Sequence, residues 1–153
     1  MNKYPYTKCG LPYVWLEDGF EIHETKHGTG VTIAEADQLH KVIASVIITS
    51  SNSIRGQEIR FLRSALGIPQ KSLGKLLGVT RDAIAKYEDT KTKPVPTPVD
   101  RLIRYVYAEV KEYPGRQQRF CDIFERMEET AFHEIVMSRK SGKWKADYRS
   151  MDY

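Results

Sequence analysis

The 153-residue chain is 41% hydrophobic and 29% charged, with a formal net charge of +4, the balance of a soluble globular protein with room for one or two small domains. No stretch approaches the roughly 20 apolar residues that a membrane crossing needs; the longest, around Val42 to Ile48, is broken by Ser45, and MNKYPYTKCG lacks the apolar core of a secretion signal. Cys9 and Cys121 are too few and too separated for a disulfide framework or a Cys-x-x-Cys zinc site, so both are expected as reduced thiols in a cytoplasmic protein.

Taken in chain order, Tyr13–Leu16 and Phe20–His23 flank Asp18-Gly19, two residues that tolerate positive φ, and this predicts a hairpin. A two-residue turn sets Trp15 opposite Ile22 and Glu17 opposite Phe20, placing Trp15, Ile22 and Phe20 on one buried face. Residues Lys26 to Gly30 read as a loop. Thr32-Ile33-Ala34-Glu35 has the form of a capping box, launching a helix with Ile33, Ala36, Leu39, Val42, Ile43, Val46 and Ile47 on its apolar side. Thr49 to Ser53 has no core residue and reads as a linker. Cys9, His23, His27 and His40 are metal-ligand types, and His23 and His27 stand at a metal-like interval. One lies in a predicted strand and the other in a loop, so nothing brings them together, and no metal is expected.

Gly56–Leu66 carries Ile59, Leu62, Arg63 and Leu66 at helical spacing, the mark of an amphipathic scaffold helix. The next segment, QKSLGKLLGVTRDAIAKY from Gln70 to Tyr87, is the most informative in the chain. It has glutamine first, a small residue fifth (Gly74), glycine ninth (Gly78), a β-branched residue tenth (Val79) and an apolar fifteenth (Ile84). Two short helices crossing steeply need this set. Gly74 permits close approach, Gly78 the tight turn, Val79 and Ile84 turn inward, and Thr80 caps the second helix. Downstream, Thr97-Pro98-Val99-Asp100 is a helix start with a threonine cap, followed by the apolar stripe Val99, Leu102, Ile103, Val106, Tyr107 and Val110.

After Tyr113-Pro114-Gly115, Phe120, Ile123, Phe124, Met127 and Ala131 recur at helical spacing. The helix from Phe120 to Phe132 is the expected dimer element, with packing onto its own chain as the alternative. His133–Arg139 and Lys143–Tyr148 can pair around Ser141-Gly142, or the charged, aromatic tail can stay disordered. The fold class expected is α+β, mainly α, in three parts. Residues 1–53 form an N-terminal β/α module, 54–111 a helix-turn-helix domain, and 112–153 a C-terminal helix with a basic-aromatic tail.

Charge divides along the same lines. Residues 1–53 hold four Lys/Arg against six Asp/Glu, residues 54–111 twelve against six, and residues 112–153 eight against eight. The whole surplus lies in the middle segment, where it would attract the phosphates of a duplex.

The segment from Gly56 to Lys111, including IRFLRSALGIPQKSLGKLLGVTRDAIAKYED and the proline-bearing loop after it, resembles the Cro/repressor-type (xenobiotic-response-element) helix-turn-helix family. That resemblance implies a second helix, Arg81 to Glu88, that enters the major groove of double-stranded DNA. It departs from the family at Pro69, where Ser or Thr usually precedes the glutamine; proline can open a helix but cannot cap it with a side chain. The stretch YPYTKCGLPYVWLEDGFEI is similar to the N-terminal module of the MqsA-like antitoxin and regulator family, without that module's two Cys-x-x-Cys pairs.

The candidate DNA-binding residues are Gln70, Lys71, Thr80, Arg81, Asp82, Lys86, Lys91 and Lys93. Arg81 can bond guanine O6 and N7 as a fork, and Asp82 can accept from cytosine N4 or complement the helix dipole. Gln70 suits a phosphate or adjacent base, Lys86 a base or phosphate, and Lys71, Lys91 and Lys93 the backbone. Tyr87 and Glu88 resemble a closing aromatic–acid pair with a packing role. No nucleophile–base–acid arrangement and no phosphate loop emerges, so neither catalysis nor a cofactor is expected. The function expected is a sequence-specific transcriptional regulator, a repressor that binds a palindromic operator as a homodimer. The alternative is an antitoxin that neutralises a toxin protein through its N-terminal module and regulates its own operon.

Overall fold

A computed structural model describes residues 3–127 and 135–146, where six α-helices and three two-stranded antiparallel sheets form a mainly-α α+β fold. Strand β1 (Tyr4–Pro5) pairs with β2 (Trp15–Leu16), and β3 (Phe20–Thr25) pairs with β4 (Gly28–Ile33). This corrects the expected hairpin. Gly19 does turn at positive φ (76°), but it joins strands of different sheets. The hairpin closes instead at Lys26-His27. There the Thr25 hydroxyl donates to the Gly28 carbonyl at 2.7 Å and accepts from the His27 N–H at 3.3 Å. That turn allows Phe20 to pair with Ile33 and Ile22 with Val31 along the full length of both strands. Trp15 and Ile22 are therefore 55% and 57% exposed, not buried, while half-buried Phe20 stacks on Tyr4 at 5.1 Å.

The expected capping box is also overturned. Thr32 and Ile33 belong to β4, with Thr32 paired to Glu21, so the threonine is not free to cap. Helix α1 (Ala36–Thr49) starts after Glu35, whose backbone is left-handed and whose side chain makes no cap. Its buried face is Ile43, Ala44 and Ile47, while Val42 and Val46 are 54% and 61% exposed. The stripe keeps Leu39, Ile43 and Ile47 as expected but turns by part of one residue step, losing Val42 and Val46 and gaining Ala44 and Ile48.

Helices α2 (Gly56–Leu66), α3 (Gln70–Leu77), α4 (Arg81–Asp89) and α5 (Thr97–Glu112) follow. Ile59, Leu62, Leu73, Leu77, Ile84 and Ile103 pack together, and Leu11, Ile43 and Ile47 join the same cluster. The core therefore runs unbroken across the Ser53/Ile54 boundary. The segment after α1 is fastened rather than loose. The Arg104 guanidinium donates to the carbonyls of Ile47, Ile48, Ser50 and Asn52, and its Nε donates to Asp100 at 2.7 Å. The other Asp100 oxygen accepts the Ile54 N–H at 2.8 Å. Asp100 thus serves the linker, and Pro96, not Thr97, occupies the cap position of α5.

Gly115, at φ 90°, starts α6 (Arg116–Glu125), which packs on α3 through buried Cys121 and a Lys75–Glu125 ion pair. The helix ends before the expected Phe132, and residues 128–134 lie outside the described residues. Strands β5 (Met137–Lys140) and β6 (Lys143–Ala146) pair around Ser141-Gly142 as expected. The outer ends of that expected pairing, His133–Glu134 and Asp147–Tyr148, fall outside the described residues. No helix is long and apolar enough to cross a membrane among the described residues.

Candidate nucleic-acid interface

The geometry of the α3–α4 pair starts at two glycines. A Cβ on Gly74 would lie 2.7 Å from the carbonyl oxygen of Val79, so α3 meets the start of α4 at a distance only glycine permits. Gly78, left-handed at φ 71°, ends α3 and turns the chain so that the Val79 N–H donates to the Gly74 carbonyl at 2.9 Å. Thr80 then caps α4, its hydroxyl accepting the Ala83 N–H at 3.0 Å. Pro69 holds the cap position of α3 without a side-chain bond, and its carbonyl accepts from Leu73 at 3.1 Å, so α3 begins at Gln70.

Behind this pair, α4 is held by an internal fork. Arg63 Nε and Nη2 donate to the two carboxylate oxygens of buried Glu88 at 2.9 and 2.8 Å, and Nη1 donates to the Ile68 carbonyl at 3.1 Å. Planar bidentate pairing of this kind fixes direction as well as distance. It locks α4 to α2 and to the turn before α3. Glu88 is structural here, and Tyr87, half-buried beside it, packs against the core.

The candidate residues fall at three places. Thr80, Arg81 and Asp82 sit together at the open start of α4, with the Arg81 and Asp82 side chains 64% and 93% exposed. Arg81 Nη1 is 3.8 Å from Asp82 Oδ1, too long for a hydrogen bond, so the guanidinium keeps its donors for another acceptor. Asp82 and exposed Lys86 share one face, four residues apart. Gln70, half-buried, and Lys71, exposed, open α3. Lys91 and Lys93 are exposed but lie beyond the far end of α4, separated from Arg81 by the helix length of about 13 Å. Their backbone is tied down: the Gln57 N–H donates to Lys91 at 2.9 Å and the Gly56 N–H to Lys93 at 3.3 Å. The eight residues therefore fall at separate places on the helix pair and the loop after it, not in one cluster.

Pairing inside the bundle sharpens the surface charge. Glu58, Glu88 and Asp100 each face an arginine of the same segment (Arg55, Arg63 and Arg104), and Glu109 pairs with Arg116. These pairs consume four of the six carboxylates, leaving Asp82 and Asp89 exposed among Arg60, Lys71, Arg81, Lys86, Lys91, Lys93 and Arg101. Arg60 and Arg101 lie off the apolar stripes of α2 and α5, a position shared by any solvated helix residue, so nothing in the sequence singles them out as contacts.

A second concavity of about 550 Å³ lies beside α2, lined by Cys9, His40, Gln57, Arg60, Phe61 and Lys91 among others. His40 is held within the fold: Tyr6 Oη and His40 Nε2 are 2.9 Å apart, and Phe61 meets the imidazole edge-on. His23 and His27 are exposed, and among the described residues no three His, Cys, Asp or Glu side chains come together. Burial pushes the thiols of Cys9 and Cys121 up from their ordinary range, so neither is an activated thiolate. In comparisons with protein-family models, with curated proteins and with solved structures, nothing matches this chain.

Proposed function

We propose that the chain is a sequence-specific DNA-binding regulator, a repressor acting as a homodimer on a palindromic operator. The observation that carries this reading is the start of α4. It is capped by Thr80, belongs to a helix whose other end is braced by the Arg63–Glu88 fork, and presents Arg81 and Asp82 to solvent on a surface with excess positive charge. Donors of this type, on a rigid helix start of this size, suit the floor of a major groove. Gln70 at the start of α3 suits a phosphate or adjacent base, and Lys71 the flanking backbone. One helix of nine residues reads only a few base pairs, so a second copy is needed for useful affinity. The exposed part of α6, with Phe120, Ile123 and Phe124 37–44% exposed, is the face assigned to that copy.

The test is selection from random duplexes followed by binding across ionic strength. A preferred sequence is expected, with affinity falling steeply as salt rises, by the slope of several phosphate contacts per protomer. No preference for any selected duplex at any salt would reject the regulator. The antitoxin reading draws on a different observation, the exposed Trp15 and Ile22 of the N-terminal sheets, which suit a protein partner. Binding of a toxin from the neighbouring gene, lost in Trp15→Ala with DNA affinity kept, is its signature.

A further inference from the structure

We propose that the β5–β6 hairpin is a second duplex contact, an arm that lays a row of lysines on the phosphate backbone; it rests on the DNA-binding reading above. The register sorts the side chains. Residues directly opposite share a face, so Ser138, Lys145, Lys140 and Lys143 lie on one side, and Met137, Ala146, Arg139 and Trp144 on the other. Ser141 and Gly142 both have positive φ (53° and 75°), the two-residue turn that fixes this register and keeps the lysines from changing faces.

The lysine face is frustrated by itself. Lys140 and Lys143 are direct cross-strand partners of like charge, which destabilises a hairpin. Between Ile135 and Ala146 there are four basic residues and no acidic one. Among the described residues none of the four has a carboxylate partner, and all are exposed. A lone two-stranded hairpin is at best marginally stable in water. A polyanion removes the repulsion between Lys140 and Lys143. Lys143 and Lys145 are about 7 Å apart along the strand, two steps of the 3.4 Å axial phosphate spacing of one DNA strand. The chain from Met127 to Ile135 spans at most about 28 Å. Because α6 packs on α3, the arm stays within reach of a duplex held by the helix pair, at high effective concentration.

The experiment uses the full chain with Lys140, Lys143 and Lys145 all changed to Gln, exposed positions where loss of like charge does not threaten the fold. Against wild type, the triple variant should bind selected and random duplexes more weakly by the same factor, with the selected sequence unchanged and the salt slope lower by about 2 to 3. An unchanged slope and affinity, with wild type still selecting a sequence, overturns the arm and leaves the regulator standing. Random-duplex binding that the triple variant loses, in a wild type with no sequence preference, keeps the arm and rejects the regulator. Loss of binding to phosphatidylserine vesicles with DNA affinity intact overturns the arm in favour of a membrane surface.

Discussion

Gly56 shows how a single hydrogen can decide a packing distance. It is the first residue of α2, and a Cβ there would stand 1.7 Å from the Tyr87 carbonyl oxygen, closer than any contact allows. Helix propensity alone predicts that Gly56→Ala stabilises the chain by about 1 kcal/mol. The contact predicts the opposite, a loss of about 3 kcal/mol, because backbone and not a flexible side chain must move. Urea denaturation decides between the two signs. At this scale much of the site was legible. Gly74, Gly78, Val79, Thr80 and Ile84 all have roles their chemistry announces locally, since each is set by a neighbour within a few residues. The carbonyls that Arg104 holds and the Arg63 partner of Glu88 gave no comparable signal, because they lie 25 or more residues away.

Elements were read well where local chemistry and burial agree, and poorly where strands had to choose partners. The span of α2 follows from its amphipathic pattern, and the spans of α3 and α4 from the turn between them. Around Gly19, a strong local turn signal lost to longer pairing beyond it, and the same choice placed Thr32 in a strand instead of a cap. The segment after α1 shows the corresponding blind spot. Ser and Asn residues that read as free linker are held by one guanidinium through their carbonyls, which every residue type possesses. Arg104→Met should therefore cost about 2–3 kcal/mol, the value of charge-assisted bonds lost from a mostly buried group. Hydrogen–deuterium exchange should quicken at residues 47–54 before it does in α3 and α4. Uniform acceleration across the chain would show that Arg104 is not a local clamp.

For the whole molecule, a single core joins Leu11 and α1 to the helix pair, so the candidate residues on α3 and α4 stand on one packed body. The remaining apolar exposure on α6 tests assembly. Phe120 and Phe124 stack at 6.0 Å, both partly exposed, while Cys121, about 100° round the helix from Phe120 and about 60° from Phe124, turns inward to α3. If a second copy covers that face, Phe124→Asp should dissociate the dimer before the protomer unfolds, since its own chain covers the ring only in part. Light scattering and circular dichroism together check this. A wild-type protein that is monomeric at micromolar concentration, free and on DNA, removes the palindromic operator from the account.

The central claim is that the start of α4 reads bases, and the most direct measurement is repeat DNA selection with Arg81→Ala and Lys93→Ala beside wild type. Arg81→Ala should lose about 1–3 kcal/mol at the selected site and relax one base position. Lys93→Ala, beyond the other end of α4, should weaken all duplexes about equally and lower the salt slope by about 1. A selected motif that is unchanged in Arg81→Ala contradicts the claim, and would leave Arg81 as a backbone contact.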